Sequence, residues 1–237
     1  MGRLFVSSIA LALIALSSTG CAANLLRGDV AGESFDIVEA VHFEFRGTDP
    51  GTSLPTHPLT VWLMPVADAC SVWPQLLEDM RALRNQLDQG QDPNQFCVDW
   101  AERWEAFTGG EGFWIAQLRL QAQPRDEDVT PDTAYPYLDE DGAEAPSQPW
   151  FDATFAWHGP QTLDRCAEVF AGTDYVPSEY LATGGEITVD AYTQDEALGG
   201  SIVLEMEQQG DDMLTGAFDS TFCPSSGEWD RTVPLLL

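Results

Sequence analysis

Four cysteines carry the most definite chemistry in this chain: Cys70, Cys97, Cys166 and Cys223. No two of them make the C-x-x-C spacing of zinc ribbons and dithiol oxidoreductases, so the expectation is two structural disulfides. Sequence order suggests Cys70–Cys97 and Cys166–Cys223, one of three connectivities open to four cysteines. A bond needs Cα atoms within about 4.4–6.8 Å of each other. A helix from Ser71 to about Asp88 is about 27 Å long. Cys97 reaches Cys70 only if residues 90–96 run back extended, covering about 23 Å. Were residues 93–107 one unbroken antiparallel helix, Cys97 would lie beside the far end of the first helix instead. Closing the Cys70–Cys97 loop would contribute about 3 kcal/mol by restricting the unfolded chain.

The second candidate for chemistry is the segment "PRDEDVTPDTAYPYLDEDGAEAPSQP", residues 124–149. It gathers Asp126, Glu127, Asp128, Asp132, Asp139, Glu140, Asp141 and Glu144 against Arg125, and five prolines stiffen it. Calcium takes several carboxylate oxygens, which makes Asp139, Asp141 and Glu144 the candidate ligands. The register of an EF-hand fails, because that loop needs an acid or Asn at Ala143 and a glycine at Glu144. The expectation is therefore a solvated acidic loop and no cofactor, with Ca²⁺ as the alternative.

His42, His57 and His158 make no H-E-x-x-H arrangement, and no G-x-S-x-G, P-loop or G-x-G-x-x-G occurs. No catalytic residue is expected. A hydrolase built on paired carboxylates would be recognised only by the separation of its two acids. Of the eight tryptophans, Trp62, Trp114 and Trp157 fall in strand patterns and Trp73, Trp100 and Trp104 on helical faces. Both settings predict core packing, and a platform for sugars is the sharper alternative.

Local pattern assigns the elements that must position these residues. "FDIVEAVHFEFR" puts Phe35, Ile37, Val41, Phe43 and Phe45 on one face at period two. "LTVWLMPV" is apolar on both faces, as a buried strand is. Trp73, Leu76, Met80, Leu83 and Leu87 recur at helical spacing, with Ser71 to cap the start and Gly90 to end it. "DPNQFCVDWAERWEAFTGG" fits both periods, and the glycine pair at its end favours helix. Further strands follow at "GFWIAQLRLQAQ", "WFDATFAWHG", "EITVDAYT", "SIVLEME" and "MLTGAFDSTFC", with a short helix at "TLDRCAEVFAG". About seven strands without βαβ alternation predict a mainly β, β-rich α+β fold. The expected architecture is an antiparallel two-sheet sandwich over residues 35–237, with a short helical insertion at about 71–107.

The formal net charge is −29, with thirty-nine Asp and Glu against ten basic residues, all Arg. Such a surface repels nucleic-acid phosphates and anionic head groups, which excludes nucleic acid as a partner. The N-terminus is different. Arg3 precedes the apolar run "LFVSSIALALIAL", which is too short to span a bilayer and is followed by Ser18, Thr19, Gly20 and Cys21. That order resembles the export signal and lipobox of bacterial lipoproteins, although Ser18 stands where the family has an aliphatic residue. The resemblance implies that residues 1–20 are a signal peptide, that Cys21 is the lipidated N-terminus, and that residues 21–34 are a tether. It also implies durable anchoring by several acyl chains, since one chain holds only marginally. Ala22 after the cysteine implies the outer membrane of a Gram-negative bacterium. "LTGAFDSTFCP" loosely resembles the closing strand of uncharacterised bacterial surface lipoproteins. The reading is an exported, membrane-anchored lipoprotein with a non-catalytic binding or structural role and an unidentified protein or glycan ligand. The alternatives are a carbohydrate- or calcium-dependent binding module and a carboxylate-based hydrolase.

Overall fold

The computed structural model describes residues 26, 28–30, 33–35, 37–44, 46–48, 53, 55–138, 147–170, 178–206 and 213–224. In chain order the elements are β1 (Asp29–Val30), β2 (Glu33–Ser34), β3 (Glu39–Glu44), β4 (Gly47–Thr48), β5 (Pro55–Thr56), β6 (Leu59–Met64), α1 (Ala69–Asp88), α2 (Pro93–Thr108) and β7 (Phe113–Gln121). They continue with β8 (Thr133–Pro136), β9 (Trp150–His158), α3 (Leu163–Phe170), β10 (Ser178–Thr193), β11 (Ala197–Met206) and β12 (Met213–Phe222). The protein is β-rich, as its alternation predicts.

The strands do not form two packed sheets. They form one sheet in the order β11-β12-β3-β6-β7-β9-β10-β8, and β10 pairs in addition with β11. A ring of seven strands thereby closes into a barrel, which removes the free edges a sandwich keeps. The expected two-sheet sandwich is corrected here, and β10 is the reason. Its start pairs with β9 from Ser178 to Leu181, and its later part pairs on that side with β8 from Glu186 to Val189. Its other edge pairs with β11 from Ala182 to Thr193. Irregularities in this last ladder fall between Ala182 and Gly184 and between Val189 and Ala191, where the strand bends. Gly185 has φ 121, and an added Cβ there would collide with the Val203 backbone carbonyl of β11. Strand β8 lies inside the expected acidic loop, so that segment is part of the sheet at residues 133–136.

Two cores share the wall of the barrel. In β6, Leu59, Val61 and Leu63 join the luminal cluster with Leu118, Leu120, Phe151, Phe155, Ile187, Leu204 and Phe218. Trp62 and Met64, on the opposite face, join Trp73, Leu76, Met80, Phe96, Trp100 and Trp104 of α1 and α2. Burying each such side chain contributes about 1.5–3 kcal/mol. Strand β3 follows the same rule: Val41 and Phe43 share the side that faces the helices, as period two expects, and Ala40 faces the lumen, but Phe35 and Ile37, expected on the same face as Val41, pack in the luminal cluster instead. Leu26 and Val30, which fall within the stretch 21–34 expected to be a tether, are buried in the luminal cluster.

Helix α2 starts where its sequence predicts. The Asp92 side chain accepts from the Asn94 amide at 2.9 Å, Pro93 stands in the first turn, and Gly109 ends the helix at φ 71. Helix α1 has no side-chain cap on its own Asp68. The Ala69 amide donates instead to Glu39 Oε2 at 2.7 Å, which ties the helix N-terminus to β3.

The disulfides are Cys70–Cys223, with Cα atoms 5.6 Å apart, and Cys97–Cys166, at 5.5 Å. All four cysteines pair, but the expected partners are corrected. Because α2 is helical from Pro93, Cys97 lies in its second turn, beside the far end of α1, and it meets α3 there. Cys70 in the first turn of α1 meets the end of β12. The loops so closed have sequence separations of 153 and 69. Restricting the unfolded chain over such lengths contributes about 4–5 kcal/mol each in the chain-entropy account.

Candidate functional site

Polar side chains collect at one end of the barrel. Inward positions recur every second residue along β3, so Ala40 is followed on the same face by His42 and then Glu44. Glu44 is the hub. Its Oε1 accepts from the Tyr192 hydroxyl at 2.6 Å and from the Asp195 amide at 3.3 Å. Its Oε2 lies 3.5 Å from His57 Nε2 and 3.8 Å from Arg46. Burial opposes the charge on Glu44, but these four neighbours outweigh it and hold the carboxyl below its ordinary range. Tyr192 responds in the other sense, since burial and the adjacent carboxylate keep its phenol protonated well above the ordinary tyrosine range.

His57 links this hub to the acidic segment. Its Nδ1 lies 2.7 Å from Asp128 Oδ1, and the Arg46 Nε–H donates to its Nε2 at 3.2 Å. Arg46 also donates to Asp128 at 3.2 Å. The loop carrying Asp128 is fastened by its backbone: the His57 amide donates to Arg125 O at 2.6 Å, and Gln121 Nε2 donates to the same oxygen at 3.0 Å. Gln121 is itself oriented by the Thr56 hydroxyl at 2.9 Å.

Deeper in the lumen, His42 Nδ1 and Ser220 Oγ are 3.0 Å apart, and Ser220 Oγ donates to Leu198 O at 3.0 Å. Burial pushes His42 below the ordinary histidine range. His158 lies on another wall, stacked on Phe113 with centroids 4.8 Å apart and planes at 2°, and burial lowers it to about 4.

The hydroxyls of Tyr192, Thr56 and Ser220 all donate to other acceptors, and the His57 lone pair is covered by Arg46. The Ser220–His42 contact is buried, and its hydroxyl is taken up by Leu198 O rather than presented to a substrate.

No motif in the sequence points to Glu44, Arg46, His57, Asp128, Tyr192 and Asp195 as a set. Of the residues it proposed, Cys70, Cys97, Cys166 and Cys223 are brought together in pairs. Cys21 lies outside the described residues, as do Asp139, Asp141 and Glu144 of the candidate calcium site. Among the described residues no group of three or more His, Cys, Asp or Glu side chains is set to hold a metal ion. No helix among them is long and apolar enough to cross a membrane. Trp62, Trp73, Trp100, Trp104, Trp114 and Trp150 are buried, and the large apolar side chains exposed among the described residues are aliphatic or Met. Core packing thus accounts for these tryptophans, and they offer no sugar platform.

Family models, curated proteins and solved structures were each compared with the chain, and none matches it.

Proposed function

We propose that this chain is an exported bacterial envelope lipoprotein, anchored through lipid on Cys21, whose barrel has a non-catalytic binding or structural role. The observation that supports it best is the pair of disulfides between elements distant in sequence, Cys70–Cys223 and Cys97–Cys166. Such bonds persist in oxidising compartments outside the cytosol, which agrees with the export signal read at residues 1–20. The lipobox resemblance at Ser18–Cys21 supports the anchor, and Ala22 supports the outer membrane. Fully engaged hydroxyls at the barrel end favour binding over covalent catalysis. At this end of the barrel Arg46 and Asp128 are half exposed beside the buried His57, so they are the charged groups of the cluster a ligand would meet.

The test is fractionation of a bacterium expressing the full chain and its Cys21→Ser variant. The proposal expects wild type in the membrane fraction and the variant either soluble or retained with an uncleaved signal. Identical fractionation and identical processing of the two would overturn it.

A further inference from the structure

One seam of the barrel differs from the rest. The other neighbouring strands of the ring run antiparallel. Strands β12 and β3 run parallel, and their register covers Ser220 with Ala40, Thr221 with Val41 and Phe222 with His42. This is the shortest ladder in the ring, and parallel pairing is slightly weaker per residue. The β11–β12 ladder beside it runs from Ala197 to Glu205.

Two further bonds hold the seam, and both involve His42. The Cys223 amide donates to His42 O at 2.9 Å. Across the seam, His42 Nδ1 meets Ser220 Oγ at 3.0 Å. Ser220 has one hydroxyl proton and gives it to Leu198 O, so the proton of the second bond must come from His42. The ring is therefore the neutral Nδ1–H tautomer, and Nε2 carries a bare lone pair. His42 is wholly buried, and its Nε2 has no hydrogen-bond partner among the described residues.

A proton added to Nε2 would place a cation in the lumen. The groups facing the ring are Ser220 and Phe222 from β12, Val61 from β6, Glu44 from its own strand and Asp195 from the turn before β11. Of the two carboxylates, Glu44 is already committed to Tyr192, the Asp195 amide, His57 and Arg46. Glu44, a hydrogen bond to the Ser220 backbone and Asp195 each favour the charged ring, but burial outweighs them, so a proton added at the unpartnered Nε2 is costly to the closed seam.

We propose that the β12–β3 seam is an acid-operated gate, shut while His42 is neutral and parted when the ring takes up a proton, with the Cys70–Cys223 disulfide keeping the end of β12 tethered to α1. Parting uncovers luminal residues on both strands, Ala40 on β3 and Leu214 and Phe218 on β12. The sign follows from burial. His42 is held below the ordinary histidine range, so the closed seam is fully supported above about pH 6.5 and loses support as pH falls below it.

Hydrogen exchange read by mass spectrometry on the oxidised full chain at pH 7.5 and pH 5.5, corrected for the intrinsic pH dependence of exchange, tests the gate. Peptides covering 39–44 and 213–223 should lose protection by about tenfold, the loss expected from one pH unit below the unfolded histidine value. Peptides covering 113–121 and 150–158 should change far less, and His42→Gln should abolish the difference. Equal loss in both sets, no loss in the seam peptides, or a seam response that survives His42→Gln would each overturn the proposal. If the variant does not fold, an NMR titration of labelled imidazoles in wild type decides. The seam must lose protection in step with His42 rather than with His57 or His158.

Discussion

Tyr192 and Glu44 meet at the end of the barrel although 148 positions separate them, the phenol donating to Oε1 at 2.6 Å. The bond joins the last turn of β10 to the last inward residue of β3. It is one link of the chain Tyr192–Glu44–His57–Asp128–Arg46 and the largest of the contacts that favour the Glu44 carboxylate.

Tyr192→Phe removes the strongest donor to Glu44 and leaves the ring in place. A hydrogen bond to a charged group contributes about 1.5–3 kcal/mol, and that loss should appear in urea unfolding at pH 7. The Glu44 carboxyl should also rise toward its ordinary range. Stability that depends on its ionisation, present above about pH 4.5, would then be lost at higher pH than in wild type. An unchanged acid-unfolding midpoint would show that the phenol does not support the charge.

His158 gives a cleaner pH signature. Its folded value of about 4 lies below the unfolded value of about 6.5, so the unfolded chain binds the extra proton first. Its contribution is complete above about pH 6.5 and disappears toward about pH 4, a swing of about 2–3 kcal/mol. His158→Phe preserves the stack on Phe113 and should flatten that part of the stability–pH curve, measured by denaturant midpoints at pH 7 and pH 4.5. A curve unchanged by the substitution would mean that another group carries the acid sensitivity.

Gly185→Ala tests closure of the ring. The new methyl meets the Val203 carbonyl at a backbone φ of 121, where L side chains are strained. A loss of more than about 2 kcal/mol is expected from strain of this size. Thermal unfolding reads it, and a neutral substitution would contradict the tight β10–β11 approach.

Non-reducing peptide mapping should join the peptides containing Cys70 and Cys223, and those containing Cys97 and Cys166. A Cys70–Cys97 link would contradict an unbroken α2. Replacing Cys70 and Cys223 together with Ala should cost about 2–5 kcal/mol.

Much of the local structure is legible in the sequence because it rests on local period. The apolar stripe Trp73, Leu76, Met80, Leu83 marks α1, and alternation marks β7, β9 and β11. Closure is not legible. The first half of β10, "SEYLATGG", has no clean alternation, because its residues serve two different partner strands and contain a bend. Which core each face of β3 meets is not legible for a related reason. Both sides of that strand are covered, so Val41 and Phe43 face the helices while His42 and Glu44 take the lumen. The polar site is assembled from β3, the residues beside β5, the loop before β8 and the end of β10. None of those segments has a motif of its own, so only the three-dimensional closure brings His57 to Glu44 and Asp128.

The central claim is export followed by lipid attachment, and the intact mass of protein extracted from membranes, with and without reduction, tests it most directly. The account predicts a chain that begins at Cys21, carries the several acyl chains implied by the lipoprotein resemblance, and gains on reduction only the hydrogens of two disulfides. A chain that begins elsewhere or carries no acyl mass would contradict it.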